Sequence, residues 1–176
     1  TFEEMHSMSM LLIGAGVDTA TSQLTHAMRY FAEHPEARAR IAAEPAVIPA
    51  AIEELLRRYG ISNITRVVRH DMTYRGVAMK AGDLVMLASA VAGLDPRRFP
   101  DPLRVDFDRP GVKGVHRPFG AGPHICPGAY LARELLRTLM TRIVPRLEGV
   151  RVERDADLPH ASGITVSLKA LPLAWG

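Results

Sequence analysis

The strongest chemical signal in the sequence surrounds its one cysteine, Cys126. A thiolate that binds a metal must stay deprotonated, so it needs positive potential and amide donors. The N-terminus of a following helix supplies the potential, and Pro127 suits the first helical position. Gly120 and Gly122 allow amides to turn toward the sulfur, and Phe119 can cover the ligand on its open side. The alternative is a buried structural cysteine.

A second candidate group, Gly14-Ala15-Gly16-Val17-Asp18-Thr19, lies inside a long helical pattern. The Thr19 hydroxyl can bond back to the Ala15 carbonyl and open the helix locally. Asp18 can relay protons as a general acid. The alternative is a helix interior of small residues in which Thr19 is satisfied by its own backbone.

A third candidate is the pair Glu54 and Arg57, three residues apart on a predicted helix. Such pairs are commonly solvated and contribute only a few tenths of a kcal/mol, roughly. By itself the spacing therefore leaves open whether this pair has a structural role.

The residue patterns around these groups predict a mainly helical fold with small β-sheets. Thr1 to Glu4 has the form of a capping box, and the helix it starts should end near His34, because Pro35 cannot continue it. Further helices are predicted over residues 36–43, 49–59 and 129–144, the last with one apolar stripe of Leu131, Leu135, Leu139 and Ile143. Strands are predicted over residues 65–69, 72–74 and 84–87, with a hairpin tip at Ser162-Gly163. Residues 94–128 show no period, and such long loops are usually functional or disordered.

The composition bounds the class of protein. The chain has 176 residues, is 47% hydrophobic, and carries a net charge of +3 with a pI of about 9.3. Its basic residues are scattered, which disfavours a nucleic-acid surface and leaves an acidic protein partner or a solvated surface. A single cysteine, no visible signal peptide and no membrane-length apolar stretch favour a cytoplasmic location. Because the chain does not begin with methionine, we expect a processed or truncated product.

Taken together, the three groups resemble the motifs of one family. Phe-x-x-Gly-x-x-x-Cys-x-Gly at 119–128, continued by residues 131–134, resembles the haem-ligand signature of the cytochrome P450 family. Gly14 to Thr19 resembles the oxygen-activation motif of the family's I helix, and Glu54-Leu55-Leu56-Arg57 resembles its K-helix Glu-x-x-Arg. The proline-rich run from Asp95 to Arg109 resembles the meander loop, and all four occur in the family's order.

The resemblance is to the soluble bacterial, camphor-hydroxylase type, and it implies a carboxy-terminal half of that fold: one haem-binding domain portion over residues 1–176, from the I helix onward, with the amino-terminal half absent. It implies haem b with Cys126 as the iron ligand and the further cofactor-binding residues Ala15, Gly16, Arg66, Phe119, His124 and Gly128. Arg66 and His124 match propionate donors, whereas Asp18 and Thr19 match the catalytic residues that deliver protons. Glu54 and Arg57 match the structural ion pair. The positions that match substrate-facing residues are Leu11, Ala15, Ile61, Ser62, Ile164 and Thr165.

The resemblance thus implies a haem-thiolate monooxygenase that hydroxylates a small hydrophobic substrate, such as a terpenoid, with O₂. Electrons would come from an acidic ferredoxin docking on the cysteine side, and we expect no nucleic-acid or membrane partner. Two other classes stay open: a haem-binding module without oxygenase turnover, and an inert fragment without haem. We also expect self-association or pairing with an amino-terminal half.

Overall fold

A computed structural model describes residues 1–154 and 157–176, and within these ranges the predicted fold class is confirmed: helices predominate over small antiparallel sheets. The helices are α1 (Phe2–Glu33), α2 (Pro35–Ala43), α3 (Ile48–Arg58), α4 (Ser89–Gly93) and α5 (Ala129–Thr138). The strands are β1 (Asn63–Val67), β2 (Met72–Tyr74), β3 (Val77–Met79), β4 (Leu84–Ala88), β5 (Val150–Val152), β6 (His160–Ser162), β7 (Val166–Leu168) and β8 (Leu173–Trp175). They pair as β1–β4, β2–β3, β5–β8 and β6–β7.

Local signals account for the ends of α1. The capping box is present, because the Thr1 hydroxyl accepts from the Glu4 amide at 3.2 Å and the Glu4 carboxylate accepts from the Thr1 amino group at 2.7 Å. The helix ends at Glu33, one residue before His34 and Pro35, as predicted. None of the helices in the described ranges is long and apolar enough to cross a membrane.

The predicted apolar stripe on the last long helix is wrong in part. The buried residues there are Leu136, Leu139, Met140 and Val144, whereas Leu131 and Ile143 are exposed. A row of residues spaced by four drifts around the helix by about 40° at each step, so it cannot stay on one face. The α-helix also ends at Thr138 and widens into a π-turn over Leu139–Ile143, which the sequence did not indicate.

The core lies between the second half of α1 and helices α2, α3 and α5. Its most buried side chains include Phe31, Ile41, Leu55, Leu136 and Met140. The first half of α1 has no such cover. Its large apolar side chains are each at least 57% exposed, namely Phe2, Met5, Met8, Met10, Leu11, Leu12, Ile13 and Val17.

This exposed apolar surface predicts that the isolated 176-residue chain self-associates. Each 100 Å² of apolar area removed from water contributes about 2.5 kcal/mol, against a net domain stability of only ~5–15 kcal/mol. Size-exclusion chromatography with light scattering should therefore find oligomers. The double variant Met8→Lys/Leu12→Lys should shift the chain toward the monomer, whereas the control Ser9→Lys should not. A monodisperse wild-type monomer would contradict this prediction.

Candidate functional site

Cys126 lies in a tight loop that leads into α5. Its amide donates to the Phe119 carbonyl at 3.0 Å, and its own carbonyl accepts from the Ala129 amide at 3.3 Å. Gly120 and Gly122 have φ values of 77° and 73°, in the left-handed region that favours glycine. Cys126 is exposed, rather than buried as a structural cysteine would be.

Two further features of the loop limit its shape. A β-carbon added at Gly128 would lie 3.7 Å from the Cys126 sulfur, so the backbone passes close to the thiol. The Phe119 ring, half-buried against the core, lies beneath the Arg133 guanidinium with 4.7 Å between the guanidinium carbon and the ring centroid. The loop thus presents an accessible sulfur just ahead of the N-terminus of α5, where the helix adds positive potential.

The oxygen-motif residues lie on the exposed half of α1. The hydrogen bond predicted from the Thr19 hydroxyl to the Ala15 carbonyl is present at 2.6 Å. The helix nevertheless continues unbroken from Phe2 to Glu33, so this bond is made without the local opening that we predicted. Asp18 and Thr19 are both exposed, and the space beside Gly16 is open.

Four of the six predicted substrate-facing residues lie together. Ser62 and Thr165 form an isolated antiparallel bridge, and the Val166 amide donates to the Ile61 carbonyl at 2.7 Å. The Ile164 carbonyl accepts from the Asn63 amide at 2.8 Å, and its side chain is 81% exposed at the hairpin tip. The other two, Leu11 and Ala15, are exposed on α1. No hydrogen bond of the described residues joins these two groups.

The two predicted propionate donors are accessible. Arg66 lies on β1, where its guanidinium is exposed and donates to the adjacent Thr65 carbonyl at 2.9 Å. His124 is exposed at the end of a short turn, Gly122–His124, two residues before Cys126. Both side chains are therefore free to turn toward an anionic ligand.

Glu54 and Arg57 form a buried bidentate ion pair with two 2.7 Å contacts. Arg57 also donates to the carbonyls of Gly93, Pro102 and Arg104, between 2.7 and 3.0 Å. Because the pair is buried, it is not a solvated surface pair of the kind that contributes little to stability. Its role is structural. Arg57 thereby holds three points of the irregular segment 93–104.

Sequence reasoning missed four residues that hold either this segment or the cysteine loop. Arg109 donates to Glu54 at 3.0 Å. Glu53, the residue beside Glu54, pairs instead with Arg133 at 2.6 Å and with His116 at 3.2 Å. His116 had no motif match, and the Arg133 partner lies 80 residues away. The only sequence signal was the pair of adjacent acidic residues on α3, Glu53 and Glu54, since two buried carboxylates each need basic partners.

Burial would by itself raise the pKa of the Glu53 carboxyl. Contacts with the His116 ring and the Arg133 guanidinium outweigh that effect and lower the pKa to about 2. Glu53 is therefore a buried carboxylate held in its charged form by two basic partners.

A comparison with known proteins places this geometry in a family. The cytochrome P450 family model matches residues 1–172. The chain belongs to the cytochrome P450 family. It is 33% identical to a probable cytochrome P450 127A1 of Sinorhizobium fredii and 35% identical to a vitamin D(3) 25-hydroxylase of Pseudonocardia autotrophica, in each case over 99% of this chain. Among solved structures, CYP101J2 superposes with a TM-score of 0.90 at 34% identity over the whole chain.

The chain spans less than half the length of the P450 relatives it matches. It covers 42% of the S. fredii protein, 44% of the P. autotrophica hydroxylase and 45% of the CYP101J2 chain. What these whole proteins do thus involves surface that the 176 residues do not include.

P450 family members carry haem b, and the Cys126 loop fits that cofactor. Its sulfur is accessible, its neighbours Ile125, Tyr130 and Leu131 present exposed apolar surface suited to a porphyrin face, and Arg66 and His124 offer exposed basic groups for carboxylates.

A substitution at Gly93 tests the close packing of this residue against Arg57. A β-carbon there would collide with the Arg57 carbonyl oxygen, so Gly93→Ala should lower the free energy of unfolding by about 1–3 kcal/mol. The control is Gly14→Ala, which meets nothing within 4 Å on α1 and should raise stability by up to about 1 kcal/mol. Urea unfolding measures both. Equal effects of the two substitutions would show that residue 93 tolerates a side chain.

Proposed function

We propose that residues 1–176 form the haem-binding portion, from the I helix onward, of a haem-thiolate monooxygenase that hydroxylates a small hydrophobic substrate. The observation that carries this proposal is the exposed Cys126 in a glycine-shaped loop ahead of α5, in a chain of the P450 family. Relatives named as hydroxylases support the reaction class. In that reaction one atom of O₂ enters a C–H bond, and the other leaves as water after taking up two electrons from a redox partner and two protons.

Cys126 would bind the haem iron, and Arg66 and His124 would hold the propionates. Bound haem would supply the iron centre at which O₂ is reduced and the substrate is oxidised. Ala15 has a small side chain and Gly16 has none, which would leave room for a flat cofactor beside α1. Phe119, held against Arg133, would shield the sulfur from solvent, and Gly128 would allow the close backbone approach that its position beside the sulfur requires.

Asp18 and Thr19 would control protons. Thr19 donates its hydroxyl proton to the Ala15 carbonyl, which leaves its oxygen lone pairs available to accept a hydrogen bond from a protonated group. Asp18, one residue earlier and exposed, would exchange protons with solvent and pass them on. Ile61, Ser62, Ile164, Thr165, Leu11 and Ala15 would face the substrate. Because they are mostly apolar and of small to medium size, a compact molecule such as a terpenoid suits them.

An acidic ferredoxin would deliver the electrons. The chain is basic, with a pI of about 9.3, and Lys113, Arg117 and His124 are exposed on the segment that leads to Cys126. Complementary charge steers such an encounter and makes it sensitive to salt. The exposed half of α1 favours a second candidate for the chain in isolation, namely haem binding without turnover.

Cys126→Ser tests the ligand. An alcohol is a far poorer iron donor than a thiolate, so the variant should lose the ferrous–CO spectrum typical of thiolate-ligated haem. Cys126 is the only cysteine, so no other thiol can replace it. A variant that kept the wild-type spectrum would disprove the assignment, and a wild-type chain that bound no haem would leave the inert fragment as the correct class.

Thr19→Ala tests proton control in an enzyme that contains this chain. Without the hydroxyl, NADH oxidation should continue while hydrogen peroxide replaces much of the product. Thr21→Ala is the matched control, since the Thr21 hydroxyl makes the same type of bond, to the Val17 carbonyl at 2.7 Å. Product formed per NADH consumed should fall in the first variant and not in the second. An equal ratio in both would mean that Thr19 only satisfies the helix backbone.

A further inference from the structure

Two adjacent carboxylates of α3 serve different segments of the chain. Glu54 accepts from Arg57, from Arg109 and from the Asp106 amide. Arg109 and Asp106 lie in the irregular stretch 93–109, and Arg57 donates to carbonyls of that stretch. Glu53 accepts from Arg133 of α5 at 2.6 and 3.2 Å. Its Oε2 atom also lies 3.2 Å from Nε2 of His116.

Both partners of Glu53 lead to the cysteine loop. His116 is buried, and its Nδ1 atom lies 2.8 Å from the Val112 carbonyl. This contact is at the start of the segment 112–126. Arg133 stacks on Phe119, whose carbonyl accepts from the Cys126 amide at 3.0 Å. One carboxylate therefore reaches the segment at two points, through His116 and through Phe119.

We propose that Glu53, His116 and Arg133 form a positioning cluster that sets the conformation of segment 112–126 and thereby the orientation of the Cys126 thiolate toward haem iron. The inference rests on the proposed function for its haem step, but not for its effect on the loop. The three are positioning residues, since they act on the thiolate only through Phe119 and the backbone.

The electrostatics favour one arrangement of this cluster. Glu53 is buried, and its attraction to the Arg133 guanidinium is screened less than in water. The Nε2 atom of buried His116 lies 3.2 Å from Glu53 Oε2, but this contact lacks hydrogen-bond geometry. Arg133 makes the directed contacts, with two of its nitrogens facing the two Glu53 oxygens. Its planar guanidinium can hold the carboxylate and the Phe119 face at once.

The segment needs such an external anchor. Between Val112 and Cys126 the structure has turns and one three-residue helical turn, Gly122–His124, rather than a continuous ladder of hydrogen bonds. A metal ligand must be held within about 0.5 Å of its productive position by locked neighbours. The contacts of Glu53 supply that restraint from α3 and α5, which are parts of the core.

The first measurement uses the haem-free chain, with Glu53→Gln and Arg133→Gln as variants. Hydrogen–deuterium exchange at the Gly120 and Cys126 amides should accelerate ~10-fold, which corresponds to a local change of about 1.4 kcal/mol. Arg137→Gln is the control, because Arg137 lies one turn along α5 and pairs with the exposed Glu134 at 3.2 Å. Its exchange rates in the loop should stay near those of the wild type.

The second measurement is the ferrous–CO spectrum of the haem-loaded chain. Glu53→Gln and Arg133→Gln should increase the share of the thiol-ligated form relative to the thiolate-ligated form, and Arg137→Gln should not. If Glu53→Gln fails to fold, His116→Gln replaces it. That variant should accelerate hydrogen–deuterium exchange at the same two amides.

The proposal is overturned if protection falls evenly across α3, α5 and the loop, since Glu53 then only stabilises the domain. It is also overturned if the loop loosens while the ferrous–CO spectrum is unchanged. A wild-type chain that binds no haem would instead count against the proposed function, and the exchange result would still decide whether Glu53 positions the loop.

Discussion

Arg57 has no contact with solvent, and a buried guanidinium is stable only when its charge and all its N–H groups find partners. Each of its five N–H donors is used, two on Glu54 and three on the carbonyls of Gly93, Pro102 and Arg104. The face of the Phe99 ring lies 5.3 Å from its charged carbon. Loss of Glu54 would therefore leave the Arg57 charge unpaired in the core, whereas loss of Arg57 would leave Glu54 with Arg109 as its remaining cation.

That requirement explains how a long segment without regular structure keeps one conformation. Backbone carbonyls normally find partners in helices and sheets, but residues 94–109 have few such partners. Arg57 and Arg109 donate to these carbonyls instead, and both arginines also bind Glu54 on α3. The adjacent Glu53 binds Arg133, which packs on Phe119 of the cysteine loop. One short helix thus organises both irregular segments through two consecutive side chains.

The sequence allowed prediction of what depends on neighbours along the chain. The capping box at Thr1, the helix end before Pro35 and the Thr19 bond to Ala15 all involve residues at most four apart, and all are present. Strand β1 lies two residues earlier than predicted, because its register against β4 pairs Asn63 with Ala88. The Arg109 and Arg133 contacts could not be predicted, since an acidic residue does not indicate which distant arginine the fold will bring to it. Motif matching covered Glu54 and Arg57 but not Glu53, whose partners lie on other segments.

The exposed half of α1 links stability to the proposed chemistry. Asp18 and Thr19 follow directly on the apolar side chains from Phe2 to Val17, and all are exposed to water. In water, hydrogen bonds from a hydroxyl or carboxyl compete with solvent, and charge interactions are weak. The proton delivery proposed for these two residues would require the dry, low-dielectric surroundings in which such interactions strengthen. The polypeptide surface that would bury Met8, Leu11 and Leu12 would also exclude water from Thr19. The stability of α1 and the proposed proton delivery would therefore depend on the same covering surface.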